Sequence, residues 1–141
     1  KIQSREWTNV EAYTIIMSRI NSNNKSSHIN EETRQRLTTL INSADLIIAS
    51  SVMSFIPKLD VTKTMGELGK LLKPRTGLFC HSDWPKSEED PTGFSEESAR
   101  TLYQKGNMDM KSSSVRTIRM GLEDTSVFVG VAVSKKMEEG E

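Results

Sequence analysis

The run Ala44-Asp45-Leu46-Ile47-Ile48-Ala49-Ser50-Ser51-Val52-Met53-Ser54-Phe55-Ile56-Pro57 decides how this chain is read. Asp45 to Ser50 is apolar without alternation, the pattern of a strand buried on both faces. It then gives way abruptly to small and polar residues. A second run, Leu71-Leu72-Lys73-Pro74-Arg75-Thr76-Gly77-Leu78-Phe79-Cys80-His81-Ser82-Asp83-Trp84, repeats the design, with a short buried strand at Leu78 to His81. Between the strands, Leu59, Met65, Leu68, Leu71 and Leu72 form a helical stripe. Asp60 is its expected N-cap, and Pro74 ends it because proline cannot continue the backbone ladder. Strand, helix and strand at this spacing predict a parallel sheet, whose strand ends build ligand sites.

Working outward, Lys1 to Thr8 is polar, and Val10 to Ile20 reads as another strand. Asn21 to Asn30 (NSNNKSSHIN) is a flexible loop by composition, because Asn and Ser compete for backbone hydrogen bonds. Asn30 then caps a helix with Leu37, Leu40 and Ile41 at helical spacing, ending near Asn42. Downstream, Trp84 to Gly93 is a proline-containing loop. Ser95 caps a helix with Ala99, Leu102 and Tyr103 on its apolar face, closed by Gly106-Asn107. Met108 to Met120 and Ser126 to Ser134 are strands. The short turn Gly121 to Thr125 makes them antiparallel. Lys135 to Glu141 is a solvated tail. The 141 residues therefore read as one α/β domain, a parallel sheet with a C-terminal antiparallel strand pair.

Composition narrows the function classes. Lys plus Arg equals Asp plus Glu at 19 each, so no electrostatic case exists for nucleic acid or a membrane surface. No apolar run approaches the ~20 residues of a membrane span, and no signal-peptide pattern opens the sequence. Cys80 is the single cysteine, which excludes an intrachain disulfide and points to a reducing, cytoplasmic setting. Two histidines and one cysteine are too few for a metal site, and Glu88-Glu89-Asp90 is a solvated acidic loop.

The candidate site residues follow from the strand ends. Ser50, Ser51 and Val52 leave room for a ligand; the same residues also suit a helix cap and tight packing. Phe55 either shapes that pocket or packs in the core. His81, Asp83 and Trp84 close the other strand. A histidine with a pKa of ~6.5 can act as a base, an aspartate can orient it, and a tryptophan can stack on a planar or cationic group. Against that stands a structural hydrogen bond for His81 and a core-covering role for Trp84. His81 and Asp83 are two apart on a strand and face one side, whereas Cys80 faces the other and reads as a buried strand residue.

These residues resemble the class I S-adenosylmethionine-dependent methyltransferases. That family has a seven-stranded Rossmann-like sheet with a reversed last strand. Asp45-Leu46-Ile47-Ile48-Ala49-Ser50-Ser51-Val52 resembles its fourth strand and the loop that follows. Leu71-Leu72-Lys73-Pro74 resembles its Leu-Leu-Lys-Pro-Gly-Gly turn before the fifth strand. Val127 to Val133 resembles the seventh strand, and Val10 to Met17 the third. The resemblance implies S-adenosylmethionine as cofactor, with Ala49, Ser50, Ser51 and Val52 against it. It implies a methyl acceptor, a small molecule or a protein; the candidate residues above would then place Phe55 and Trp84 beside that substrate, with His81 and Asp83 catalytic. The loop Pro85 to Phe94 would lie over the substrate.

Two departures stand out. Pro74 is followed by Arg75-Thr76-Gly77 rather than Gly-Gly. No glycine precedes Gly66, so the family's glycine-rich cofactor loop is absent from this sequence. Under the resemblance the family's first two strands lie outside the chain. In the family order 3-2-1-4-5-7-6, strand 45–50 then becomes an exposed apolar edge. Three outcomes are expected for it: the missing part supplied as another chain, a second copy covering the edge, or segment 10–17 lying beside it. The function that follows is the later part of a methyltransferase; the alternative is a non-catalytic module that self-associates or binds a partner through that edge.

Overall fold

The computed structural model describes residues 31–138. The strand expected at Val10 to Ile20, the loop Asn21 to Asn30 and the cap at Asn30 lie outside them. The described elements are α1 (Glu31–Thr39), β1 (Leu46–Ser50), a 3-10 turn (Met53–Phe55), α2 (Lys58–Leu71), β2 (Leu78–Asp83), α3 (Glu96–Lys105), β3 (Met108–Met120) and β4 (Glu123–Ser134).

The strands form one sheet in the order β1-β2-β4-β3. β1 runs parallel to β2, from Leu46 opposite Leu78 to Ser50 opposite Ser82. β4 runs antiparallel to both β2 and β3. In the family's terms this is the order 4-5-7-6 with the last strand reversed, as the resemblance implies.

One face of the sheet is the core. Ala49, Phe79, Phe128 and Ala132 lie on it, against Met65 of α2 and Ala99, Leu102 and Tyr103 of α3. The opposite face is apolar but not buried. Ile48 is 70% exposed and Leu46 49%, and Val127, Val129, Val131 and Val133 are half-buried. The expectation that strand 45–50 is buried on both faces is therefore corrected. Its apolar run does not alternate, yet among the described residues only the Ile47 and Ala49 face is covered. β2 is also its only strand neighbour there.

Local chemistry sets the element ends. Ser95 caps α3: its hydroxyl accepts from the Ser98 amide (3.2 Å), and the Ser98 hydroxyl accepts from the Ser95 amide (2.9 Å). Asp60 is not the cap of α2. The helix starts at Lys58 after Pro57, and Asp60 sits in its first turn, where a carboxylate favours the dipole. α2 stops at Leu71, with Leu72 already extended ahead of Pro74. Gly106 is needed for close approach rather than handedness. A Cβ there would lie 2.7 Å from the Met65 carbonyl oxygen, and the left-handed residue is Asn107 (φ 56°). The hairpin is tighter than the sequence reading. Met120 pairs with Glu123 across Gly121-Leu122, and Gly121 (φ 67°) takes the first central position that a two-residue hairpin asks of glycine. Beyond β4, the Lys135 amide donates to Asn107 O (2.9 Å) and Lys136 Nζ donates to Asn42 Oδ1 (2.7 Å), so the chain stays fastened past Ser134.

Arg75 has φ 62° in the turn before β2. It stands where the family has its first glycine. A left-handed non-glycine residue costs about 1–2 kcal/mol, partly offset by the chain entropy that glycine adds. Arg75→Gly is expected to raise stability by about 0.5–1 kcal/mol. Urea unfolding midpoints check this, and a loss of stability would contradict it.

Candidate functional site

The candidate site lies at the C-terminal ends of β1 and β2, where parallel strands leave a crevice. Ser50, the last residue of β1, pairs with Ser82, one residue short of the end of β2, and the Ser82 hydroxyl donates to that of Ser50 (3.0 Å). The Ser51 amide donates to Ser82 O (2.8 Å), which holds the first loop residue against the neighbouring strand. Ser51 itself is left-handed, at φ 54°. A non-glycine residue held there is strained by roughly 1–3 kcal/mol, and such strain concentrates where a loop has been shaped for a ligand. Ser50, Ser51 and Val52 are exposed, as is Phe55 at 78%, whereas Ala49 is buried beneath them. Trp84, 46% exposed, follows the end of β2. The strand ends thus present a small-residue ledge flanked by exposed apolar side chains.

His81 and Asp83 lie below this ledge, not on it. Both side chains are fully buried. Asp83 Oδ1 accepts from the Trp84 amide (2.9 Å), and Oδ2 accepts from the Ser54 amide (3.2 Å). His81 Nε2 lies 3.4 Å from Asp83 Oδ2, and His81 Nδ1 lies 2.9 Å from the Tyr103 hydroxyl. The protons follow from chemistry. Burial pushes the imidazole pKa down, against the opposing pull of Asp83, so the ring is neutral. A carboxylate can only accept, so Nε2 carries the hydrogen and donates to Asp83. Nδ1 then accepts from Tyr103, whose own pKa is raised by burial, with smaller contributions from Cys80 and Asp83, and which keeps its proton. Phe94 packs edge-on to the imidazole at 4.6 Å, and Phe79 lies near it on the core side. A Cβ on Gly130 would overlap the Tyr103 hydroxyl, so only glycine at that point of β4 leaves the phenol its place.

This network gives stability a pH dependence. The unfolded chain protonates His81 near the ordinary value of ~6.5, and the folded chain resists protonation to a lower pH. Below ~6.5 the unfolded state therefore binds more protons, and stability falls with pH until the folded His81 also titrates. Urea midpoints measured downward from pH 8 are expected to fall from the ~6.5 region, and a His81→Gln variant is expected to lose that step. A wild-type profile flat through this window would contradict the assignment.

Sequence reasoning missed two participants. Tyr103 was visible only as part of an apolar helix face, and the Ser54 amide carries no side-chain signal. The loop from Pro85 to Phe94 is pinned at its base: the Lys86 amide donates to Phe94 O (2.8 Å), and the Phe94 amide donates to Trp84 O (2.7 Å). Cys80 lies on the opposite face of the sheet from His81, partly exposed. Among the described residues no cluster of three or more potential metal ligands occurs, and no helix is long and apolar enough to cross a membrane.

No protein-family profile matches the sequence, and no curated protein does. Solved structures do. A methyltransferase from Methanosarcina mazei, described as S-adenosylmethionine-dependent, superposes with TM-score 0.53 at 12% identity, covering 67% of this chain and 60% of that one. A structure from work on converting a disulfide into a thioacetal during echinomycin biosynthesis gives TM-score 0.55 at 13% identity, covering 72% and 53%. The 1,6-didemethyltoxoflavin-N1-methyltransferase of Burkholderia thailandensis, solved with its substrate and S-adenosylhomocysteine, gives 0.53 at 12%, covering 65% and 44%. The chain thus spans between 44% and 60% of the length of these structures. The described residues carry the later part of the class I S-adenosylmethionine-dependent methyltransferase fold, from its fourth strand to its reversed seventh.

Proposed function

We propose that this chain forms the later part of an S-adenosylmethionine-dependent methyltransferase, with a small molecule or a protein as acceptor. The observation that carries the reading is the open ledge at Ser50 to Val52, at the strand ends of a sheet with this order and reversal. The residues fit one side of such a cofactor. Ala49, Ser50 and Ser51 put no large side chain in the way, and Val52 offers an apolar contact. The chemistry the cofactor supplies when bound is an electrophilic methyl group on sulfur. Methyl transfer asks mainly for in-line positioning of the acceptor. Phe55 and Trp84, exposed beside the ledge, are the walls that would orient it.

His81 and Asp83 serve this site by position. Their burial keeps them from an acceptor, so neither exchanges a proton with it. Asp83 instead holds the amides of Ser54 and Trp84, one on each flank of the ledge. The single cysteine favours a reducing, cytoplasmic setting.

Labelled S-adenosylmethionine titrated into this chain, and into the protein extended upstream, tests the reading. Binding by the extended protein is expected; absence of binding by both would end it. The exposed edge favours a second reading, a non-catalytic module that pairs with itself or a partner. Leu46 and Ile48 lie on the free strand β1, whose outer backbone groups have no strand neighbour among the described residues. Size exclusion with light scattering separates the two. A monomer that resists changes in concentration argues against the second reading.

A further inference from the structure

The turn that carries Val52 and Phe55 has a second side. Met53, Ser54 and Ile56 wall a cleft of about 590 Å³, between the first turns of α2 and the outer face of α3. Neither the strand-end ledge nor Trp84 contributes to it. The volume falls within the range of small-molecule sites, roughly 300–1,000 Å³.

Its chemistry is divided. The apolar lining comes from Met53, Ile56, Val61, Phe94 and Leu102. Met53 and Leu102 are almost wholly buried, whereas Ile56, Val61 and Phe94 are partly exposed and can take the face of a planar aromatic body. Lys58, Lys86 and Lys105 contribute three positive charges against the single carboxylate of Glu97. These lysines belong to α2, the Pro85–Phe94 loop and α3 respectively, so separate elements bring them to one cleft. None of the three forms an ion pair among the described residues, whereas Lys70, Lys73 and Lys111 each have a carboxylate partner. An apolar lining under unneutralised positive charge is complementary to a ligand of the opposite charge with an apolar body.

We propose that this cleft binds a small aromatic anion, its ring on Ile56, Val61 and Phe94 and its carboxylate, sulfonate or phosphate met by the lysines. The site is separate from the ledge proposed for methyl transfer and stands whether or not that reading does.

The probe is naphthalene-2-sulfonate, titrated into the ¹⁵N-labelled protein, with the uncharged naphthalene-2-sulfonamide as its neutral counterpart. The sulfonate is expected to shift the amides of Met53 to Ile56, Phe94, and Thr101 to Lys105. With two exposed ion pairs at stake, it is expected to bind about tenfold tighter than the sulfonamide. The double variant Lys58→Glu/Lys86→Glu is expected to remove that advantage while leaving the amide spectrum of β2 and β4 unchanged. Equal affinity for the two probes, unchanged affinity in the double variant, or no detectable binding would overturn the proposal. So would shifts confined to Leu46, Ile48 and Val127 to Val133, which would mark adsorption to the exposed sheet face.

Discussion

Asp83→Ala is expected to destabilise the protein by about 2–4 kcal/mol, because buried donors that lose their acceptor cost about 1–3 kcal/mol each. The carboxylate accepts from the Trp84 amide, the Ser54 amide and His81. The two amides are only part-buried, so water recovers some of the loss there, whereas His81 Nε2 has no solvent to turn to. Asp83→Asn keeps one acceptor oxygen and is expected to cost less. Equilibrium urea unfolding reads the difference. A loss below about 0.5 kcal/mol, the level of an ordinary surface substitution, would remove Asp83 from its central position. The same variant is expected to speed hydrogen exchange at Ser54, because the turn beside the ledge loses its anchor.

The second large effect is expected at Phe79. It is fully buried near the start of β2, packed edge-to-face on Tyr103 at 5.6 Å and near His81 at 6.2 Å. Phe79→Ala removes the ring and leaves a cavity that the helices above cannot close, at a cost of about 3–5 kcal/mol. Total stabilities are about 5–15 kcal/mol, so this one change removes a large fraction of the whole. It also frees Tyr103 and His81 to move, so its effect and that of Asp83→Ala are expected not to add. Thermal unfolding checks the size of the effect, and a cost under about 1 kcal/mol would mean that the core relaxes into the space.

The order of elements was legible because each boundary carries its own local chemistry. Ser95 and Ser98 cap one helix reciprocally, Pro74 stops another, and β4 alternates small and large residues along a length that no helix pattern fits. Strand order was legible only through resemblance, since nothing local says that β4 inserts between β2 and β3. Burial was less readable. Leu46 to Ala49 looks the same in sequence whether one face is covered or two, because covering a face is a matter of partners. The site was less readable still. Phe55 and Trp84 are exposed beside the strand ends, but His81 reads alike in sequence as a catalytic base and as a buried ring. Its hydrogen bond to Tyr103, 22 residues on, could not be read from the sequence, because that contact is made by packing α3 on the sheet. The strain at Ser51 and Arg75 was equally hidden, because neither residue type announces a left-handed backbone.

On the proposed function, the strand ends of β1 and β2 are one wall of a cofactor site, braced from beneath by Asp83. Hydrogen exchange of the full native protein, with and without S-adenosylhomocysteine, tests that directly. Slowed exchange is expected at the amides of Ser51 to Phe55 and at Trp84. Unchanged exchange at those amides would contradict a cofactor site there.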